Sequence, residues 1–171
     1  MSAADLRVEE ASEADTTAIL AINLEGRPGV VGLDTAQIRT FLERATLFRV
    51  ARLRDRVVGY LIAIDSKADY EGEEYLWFRK RPGSFLYVDQ VAVAREARQC
   101  GVASAIYREI EEVAARRGLA AITCEVNLEP ANPISLRFHG GRGFSEVGTL
   151  RTKDGRLVSL LEKRLASPGL S

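Results

Sequence analysis

One stretch of the sequence joins an apolar strand, a polar turn and a helix that opens with small residues. It begins at Val91-Ala92-Val93 and ends with Arg98, Gln99, Cys100, Gly101, Val102, Ala103 and Ser104. The first N–H groups of a helix lack intrahelical partners, and the helix dipole adds partial positive charge there. Because small residues let a bulky anion approach this backbone, the stretch predicts a phosphate-binding cradle.

Two widespread phosphate-binding motifs are absent from the chain. It contains no G-x-x-x-x-G-K-[ST] sequence, which excludes a nucleotide-hydrolysing P-loop. It also contains no G-x-G-x-x-G sequence, which excludes the dinucleotide-binding fingerprint. The predicted cradle therefore belongs to another class of phosphate-bearing ligand.

Residues 98–103, Arg-Gln-Cys-Gly-Val-Ala, resemble the acetyl-CoA signature of the GNAT superfamily, [Arg/Gln]-x-x-Gly-x-[Gly/Ala]. As in that family, the motif follows a Val-Ala-Val strand and precedes an amphipathic helix and a further strand. The region from Asn132 to Phe144 resembles a second family region, which ends in Gly-Phe. The order of the predicted elements matches as well, so the resemblance covers residues 6–165.

The resemblance implies a fold, a cofactor and an activity. The fold is a single α/β domain whose mixed, mostly antiparallel sheet is flanked by helices, with the fourth and fifth strands splayed to admit acetyl-CoA. Backbone groups of Val91 and Val93 would hydrogen-bond the pantetheine arm as an added strand does, and an N–H near Val91 would polarise the thioester carbonyl. N–H groups from Gln99 to Ser104 would bind the pyrophosphate. Asn132 would contact the cofactor, cap its helix, or do both.

The implied reaction is N-acetylation of a primary amine by direct attack on the thioester, which needs one proton removed from the amine and one given to the departing thiolate. Many GNAT enzymes carry a proton-donating tyrosine four residues before the position of Gly143, and His139, the one histidine in the chain, stands there. An imidazole can serve this purpose near neutrality. The resemblance places the base on the fourth or fifth strand, as Glu125 or, second, Asp89. The alternatives are a packing role for His139 and hydrogen-bonding roles for both carboxylates, with the amine losing its proton to bulk water and no dedicated base.

The elements that must position these residues follow from hydrophobic periodicity and turn signals. Alternating or continuous apolar runs predict strands, and apolar residues at helical spacing after a capping residue predict helices. The predicted order is a strand at 6–8, helices after Ser12 and Asp34, strands at 47–53 and 57–64, a strand at 85–94, a helix ending at Gly118, a strand at 120–126, a helix at 132–142, a strand that starts at 143–144, a turn at 153–155 and a strand at 157–165.

The segment from Asp65 to Ser84 mixes aromatic and charged residues in a long connection. Two interpretations are open: a binding loop that lines the acceptor site through Tyr75 and Trp77, or a surface excursion whose aromatics cover the core. Its glutamates would attract a cationic amine, whereas Arg79, Lys80 and Arg81 would hold an acidic substrate. The sequence therefore leaves the acceptor unidentified.

Composition limits the remaining functions. The chain has 171 residues with 24 basic and 24 acidic side chains, which gives no overall field for nucleic acid or an acidic membrane. Two distant cysteines and one histidine predict neither a disulfide framework nor a metal site. With no signal peptide and no apolar span, we expect a cytoplasmic protein. The final strands could pair across a homodimer, and residues 166–171 are expected to form a loose tail.

Two other functions fit the same sequence features. One is a non-catalytic acyl-CoA-binding or sensor domain that keeps the fold without turnover. The other is a nucleotide-binding regulatory domain that uses the same helix N-terminus. Turnover with an amine separates the first from an acetyltransferase, and preference for a mononucleotide over CoA identifies the second.

Overall fold

The computed structural model describes residues 5–166, which contain seven strands and five helices. The strands are Leu6–Glu10 (β1), Leu47–Leu53 (β2), Arg56–Asp65 (β3), Phe85–Val93 (β4), Ala121–Glu129 (β5), Ser145–Arg151 (β6) and Leu157–Arg164 (β7). The helices are Thr16–Gly26 (α1), Thr35–Arg44 (α2), Glu73–Arg79 (α3), Val102–Arg116 (α4) and Pro133–Gly141 (α5).

The strands form one sheet in the order β1-β2-β3-β4-β5-β7-β6, in which β4 and β5 run parallel. The pairs β1–β2, β2–β3, β5–β7 and β6–β7 are antiparallel. Tight turns connect the two strands in two of these antiparallel pairs. Arg54 turns β2 into β3 at a φ of 56°, and Gly155 turns β6 into β7 at a φ of 90°. The predicted mixed, mostly antiparallel sheet flanked by helices is confirmed.

The described residues divide into two compact units. The first unit contains residues 5–63 and 90–110, and the second contains residues 64–89 and 111–166. Each unit has its own fully buried side chains. Those of the first include Ile19, Ile38, Tyr60, Leu61 and Ile106, and those of the second include Tyr75, Phe78, Tyr87, Ile122 and Leu160.

The predicted helix caps are present at two helices. Asp34 Oδ1 accepts a hydrogen bond from the Gln37 N–H at 2.8 Å and so caps α2. Asn132 Oδ1 accepts one from the Ser135 N–H at 3.3 Å, and Pro133 occupies the first turn of α5. The chain leaves α4 through Gly118, whose φ of 70° favours glycine.

The segment from Asp65 to Ser84 is not a continuous loop, because it contains α3. Tyr75 is fully buried, and its hydroxyl donates to the carbonyls of Asp65 and Ala68 at 2.8 and 2.9 Å. Its ring packs edge-on against Phe85 and Tyr87. Tyr75 therefore belongs to the core, and the expectation that it lines an acceptor site is wrong; the covering role fits this residue.

Within residues 5–166, no helix combines the length and apolar character that a membrane span requires. Residues 167–171, which make up most of the expected loose tail, lie outside the described residues. That the whole chain is one domain stays a prediction.

Candidate active site

The predicted cradle is a turn in which two residues have left-handed backbone conformations. Gln99 has a φ of 63° and Gly101 a φ of 78°. The first helical bond of α4 follows directly, from the Ala105 N–H to the Gly101 carbonyl at 3.0 Å. The N–H groups of residues 102–104 therefore precede the helical hydrogen-bond ladder and point out of the start of the helix.

Open space surrounds Gly101. A Cβ built on this residue would meet no heavy atom within 4 Å, and residues 98–101 are exposed. A cluster of free N–H groups beside unfilled space, at the positive end of a 15-residue helix, suits a bulky anion such as a pyrophosphate. The residues at this site thus fit the cofactor that the sequence motif implies.

Arg98 fastens the cradle to its surroundings. Its Nε donates to the Val93 carbonyl at 3.3 Å, and its Nη2 donates to the Glu25 carbonyl, at the end of α1, at 3.4 Å. The Glu25 carboxylate in turn accepts the Arg95 N–H at 2.8 Å. The guanidinium of Arg98 is therefore engaged with backbone carbonyls of the protein, which the sequence motif did not indicate.

The end of β4 presents backbone groups on its edge away from β3. The Ala94 N–H bonds the Val58 carbonyl of β3 at 2.8 Å, and a Cβ on Gly59 would lie 3.2 Å from the Ala92 oxygen. Because backbone groups alternate along a strand, the N–H and C=O of Val91 and Val93 point to the opposite edge. This is the orientation that pantetheine binding requires.

In the second unit, the parallel pairing of β4 with β5 is short. It joins Phe85–Tyr87 to Ala121–Thr123, although both strands continue beyond these residues. The side chains just after the paired region, Asp89 and Glu125, are half-buried. The predicted splay of the two strands thus begins at two carboxylates.

Three carboxylates, Glu74, Asp89 and Glu125, form an acidic cluster in the second unit. The Tyr70 hydroxyl donates to Asp89 Oδ1, and the Tyr87 hydroxyl donates to Glu125 Oε2 at 2.8 Å. Glu74 lies on α3 and is 8% exposed. Each of the two strand carboxylates is therefore held by a tyrosine, and a third carboxylate lies near them.

Burial and mutual repulsion raise the pKa of both strand carboxylates. Burial, opposed by the Tyr70 hydrogen bond and assisted by Glu74, raises the pKa of Asp89 to about 6. Burial, with Glu74 and Asp89 as the next causes, raises the pKa of Glu125 well above its ordinary value. Neighbouring carboxyls of this kind titrate as a pair. Raised carboxyl pKa values of this kind are typical of groups that exchange a proton with a ligand.

One arginine faces the cluster from the turn before β7. Arg156 Nη2 donates to Glu74 Oε1 at 3.4 Å, and its Nη1 donates to Asn127 Oδ1 on β5 at 3.2 Å. Its Nε also bonds the Asp154 carboxylate at 2.9 Å. Among the described residues, no group of three or more His, Cys, Asp or Glu side chains has an arrangement that could hold a metal ion.

His139 lies on α5 and belongs to a different set of contacts. The ring is 2% exposed and packs edge-on against Phe138 and Phe144. Nδ1 lies 2.8 Å from the Ser135 carbonyl, which can only accept, so this hydrogen bond assigns the neutral proton to Nδ1. Burial lowers the pKa of His139. Nε2 therefore carries a proton only when the ring is charged.

The remaining site residues have simpler positions. Asn132 caps α5, which is one of its two predicted roles. Cys100 is exposed within the cradle, and Cys124 is buried on β5. Sequence reasoning missed Tyr70 and Tyr87, and it named Glu74 only among the glutamates that would attract a cationic amine. Strand alternation along β4 could have placed Tyr87 beside Asp89, whereas no sequence signal brings Tyr70 or Glu74 to them.

The comparison with protein families decides the identity of the fold. The model of the acetyltransferase (GNAT) family matches residues 17–144. The chain belongs to the GNAT family. Its matched region includes the cradle and the carboxylates of β4 and β5. A search among curated proteins found no match.

Solved GNAT structures share the fold. A ribosomal-protein-alanine N-acetyltransferase from Brucella melitensis has 26% identity and a TM-score of 0.69, over 93% of this chain and 99% of that one. Naa20 of Chaetomium thermophilum, in complex with a bisubstrate analogue, has 16% identity and a TM-score of 0.75, over 93% and 86%. YncA of Salmonella typhimurium, with its cofactor acetyl-CoA, has 15% identity and a TM-score of 0.68, over 97% and 99%.

Proposed function

We propose that this GNAT protein transfers the acetyl group of acetyl-CoA to a primary amine by direct attack of the amine on the thioester. The observation that carries the proposal is the cradle at Gly101, where left-handed backbone and free helical N–H groups border open space. The relatives named above support the same chemistry, because they include N-acetyltransferases and one complex with acetyl-CoA. The acceptor is an amine-bearing small molecule, a protein N-terminus or a lysine.

The first unit would hold the cofactor. N–H groups of residues 99–104 bind the pyrophosphate, and the backbone edge at Val91 and Val93 bonds the pantetheine arm, although the Val93 carbonyl also accepts from Arg98. An N–H near Val91 is available to polarise the acyl carbonyl. In the second unit, Asn132 would contact the cofactor as well as cap α5. When bound, acetyl-CoA supplies an activated acyl group.

The second unit would handle the protons. Glu125 and Asp89 together accept one proton from the incoming ammonium, and the nitrogen lone pair then forms the N–C bond while the C–S bond breaks. The sulfur keeps that electron pair and receives a proton, for which His139 in its charged form is the proposed donor. The second proton that the nitrogen loses restores the charged imidazole. The products are the N-acetyl amine, free CoA and one proton released to solvent.

A cytoplasmic location accompanies the proposal. Neither Cys100 nor Cys124 forms a disulfide, and Cys100 is exposed within the cradle. An exposed thiol in a ligand site is retained most readily in a reducing compartment.

Cofactor binding and turnover are tested separately. Calorimetry should detect acetyl-CoA, and CoA should protect exposed Cys100 from alkylation while buried Cys124 stays unreactive throughout and so serves as the internal control. Release of free thiol with a panel of amines then measures turnover. Binding of CoA without turnover for any amine would favour the non-catalytic sensor, and preference for a mononucleotide would favour the regulatory domain.

A further inference from the structure

The acidic cluster carries more negative charge than its surroundings neutralise. Asp89 and Glu125 form no ion pair within residues 5–166; their recorded partners are the Tyr70 and Tyr87 hydroxyls. Arg156 is divided between Glu74, at 3.4 Å, and Asp154, at 2.9 Å, and its charge also acts on Glu125 without a direct ion pair. A single guanidinium shared in this way leaves a surplus of negative charge in a partly desolvated place, where charges interact more strongly than in water.

A buried hydroxyl beside the cluster has no hydrogen-bond partner. Thr123 is 1% exposed, and its Oγ1 has no partner in the structure. Thr123 and Glu125 are two residues apart on β5, so their side chains project from the same face of the sheet. Thr123 also stands opposite Tyr87 in the parallel register, and Tyr87 bonds Glu125. The Thr123 side chain, with its unpaired oxygen, therefore lies on the same side of the sheet as Glu125 and Tyr87.

Hydrogen-bonding capacity points to the kind of ligand. The carboxylates can only accept when ionised, both tyrosine protons already go to carboxylates, and Asn127 presents its amide oxygen to Arg156. A ligand that fits these groups must be rich in N–H donors and positively charged. An acidic acceptor would meet repulsion from three carboxylates on three elements, α3, β4 and β5.

We propose that the acceptor carries a second cationic group in addition to the amine that reacts, and that the acidic cluster receives both. The inference rests on the proposed acetyl transfer and adds the substrate class to it. The reacting ammonium gives its proton to the pair of Asp89 and Glu125. The second cation, an ammonium or a guanidinium, offsets the charge that Arg156 leaves uncompensated at Glu74, and it supplies a donor to Thr123 Oγ1.

The charge on the acceptor can be varied at constant length. Diaminobutane, butylamine and aminobutanoate present the same reacting amine with a cationic, neutral or anionic far end. We expect kcat/KM to fall in that order, by about a hundredfold or more from the first to the last, since each lost or reversed contact of a buried charge changes binding by about tenfold or more. Equal values for the three amines would overturn the inference and leave acetyl transfer intact, whereas no turnover with any amine would instead remove the proposed function.

A second arm distinguishes the source of the second charge. Alanyl-lysine and alanyl-glutamate place it on the residue after a free N-terminus, whereas diaminobutane places it on a free diamine. Each pair gives a ratio of kcat/KM values for the cationic over the anionic compound. If the ratio is larger for alanyl-lysine over alanyl-glutamate, the acceptor is a peptide. If it is larger for diaminobutane over aminobutanoate, the acceptor is a small diamine. Absence of any charge preference in both pairs contradicts the inference.

Two neighbouring glutamates on α3 provide a matched pair of variants. Glu74→Gln removes a charge from the cluster, and Glu73→Gln removes one next to it, where the carboxylate accepts the Lys153 N–H instead. We expect Glu74→Gln to reduce the preference for diaminobutane over butylamine about tenfold and Glu73→Gln to leave that preference unchanged. If both variants reduced this preference equally, it would come from the overall negative charge near α3 and not from a specific site, which would contradict the inference.

Thr123→Val tests the unpaired hydroxyl directly. Replacing a buried hydroxyl that lacks a partner by an apolar group of the same shape should leave the melting temperature unchanged or raise it. The same change should raise the KM for diaminobutane several-fold and leave the Kd for acetyl-CoA unchanged. An unaltered KM for diaminobutane in a folded variant would contradict the role given to Thr123.

Discussion

The cradle of the first unit and the acidic cluster of the second use opposite means to prepare a site. In the cradle, the working groups are backbone N–H groups on exposed residues, and the side chains of Gln99 and Cys100 are incidental to them. In the cluster, the working groups are carboxylates and phenols, and each depends on its neighbours for its pKa. Binding at the cradle therefore depends on the backbone conformation, whereas the reactivity of the cluster depends on which side chains are present and on their protonation. The following predictions separate these two dependences.

The largest effect should come from a side chain placed at Gly101. Gly101→Val adds bulk to the open space of the cradle and strains a residue at a φ of 78°, so we expect the Kd for acetyl-CoA to rise at least about a hundredfold. Calorimetry measures it, and circular dichroism confirms that the variant is folded.

Gly83→Val is the matched control. Gly83 has a φ of 102° and, like Gly101, nothing within 4 Å of an added Cβ. It lies between α3 and β4, so the substitution should bring comparable backbone strain without loss of acetyl-CoA affinity. A folded Gly101 variant that binds normally would show that the cradle does not hold the cofactor.

The next effect should come from the pair of strand carboxylates. Asp89→Asn and Glu125→Gln should each lower kcat/KM about a hundredfold or more, the usual contribution of a general base, and leave the Kd for acetyl-CoA unchanged. In the unchanged protein, kcat/KM should fall as the pH drops below about 6, because Asp89 becomes protonated there. Stopped-assay profiles across this range provide the measurement.

Tyr70→Phe tests the role of the Asp89 pKa without removing a carboxyl. The Tyr70 hydrogen bond lowers the pKa of Asp89 against the effect of burial, so its loss should raise that pKa. We expect the acidic limb of the kcat/KM profile to move to higher pH, with most of the activity retained on the plateau. If the acidic limb of the profile stays at the same pH, Asp89 is not the group whose protonation lowers kcat/KM.

A smaller and pH-dependent effect is expected at His139. Its Nε2 carries a proton only in the charged form, and burial lowers the pKa of the ring. His139→Ala should therefore lower kcat about tenfold under mildly acidic conditions and progressively less as the pH rises. His139→Tyr should restore part of the activity at all these pH values, since a phenol stays protonated to about pH 10. An effect of alanine that is constant with pH would favour a packing role.

The smallest effect is expected at Tyr75, whose substitution should change the stability of the fold and leave catalysis unchanged. Tyr75→Phe removes the hydroxyl that bonds the carbonyls of Asp65 and Ala68 and should lower the free energy of unfolding by about 1–2 kcal/mol. Urea titration measures this loss, and KM for the acceptor should not change. A raised KM at unchanged stability would return Tyr75 to the acceptor site.

The sequence predicts the cradle more completely than it predicts the acidic cluster. The cradle could be predicted because its information is local: a strand, a turn with Gly101 and a helix start lie within a few consecutive residues. Local pattern also placed Asp89 and Glu125 each on a strand, and the family resemblance implied that the two strands are neighbours. Tyr70 and Glu74 could not be placed beside them, since their positions depend on the path of an irregular connection before α3. The seven residues of α3 are also too few to show a clear helical period.

The anchoring of α3 has a consequence for the time course of the reaction. Glu73 accepts the Lys153 N–H at 3.1 Å, Arg81 bonds the Val147 carbonyl at 3.5 Å, and a Cβ on Gly148 would lie 2.5 Å from Trp77 Cζ2. These contacts hold α3 against the β6–β7 hairpin near both ends and along its middle. We therefore expect α3 to stay in place during the proposed reaction, so that diffusion and charge, and not a slow loop motion, limit entry and release of the acceptor.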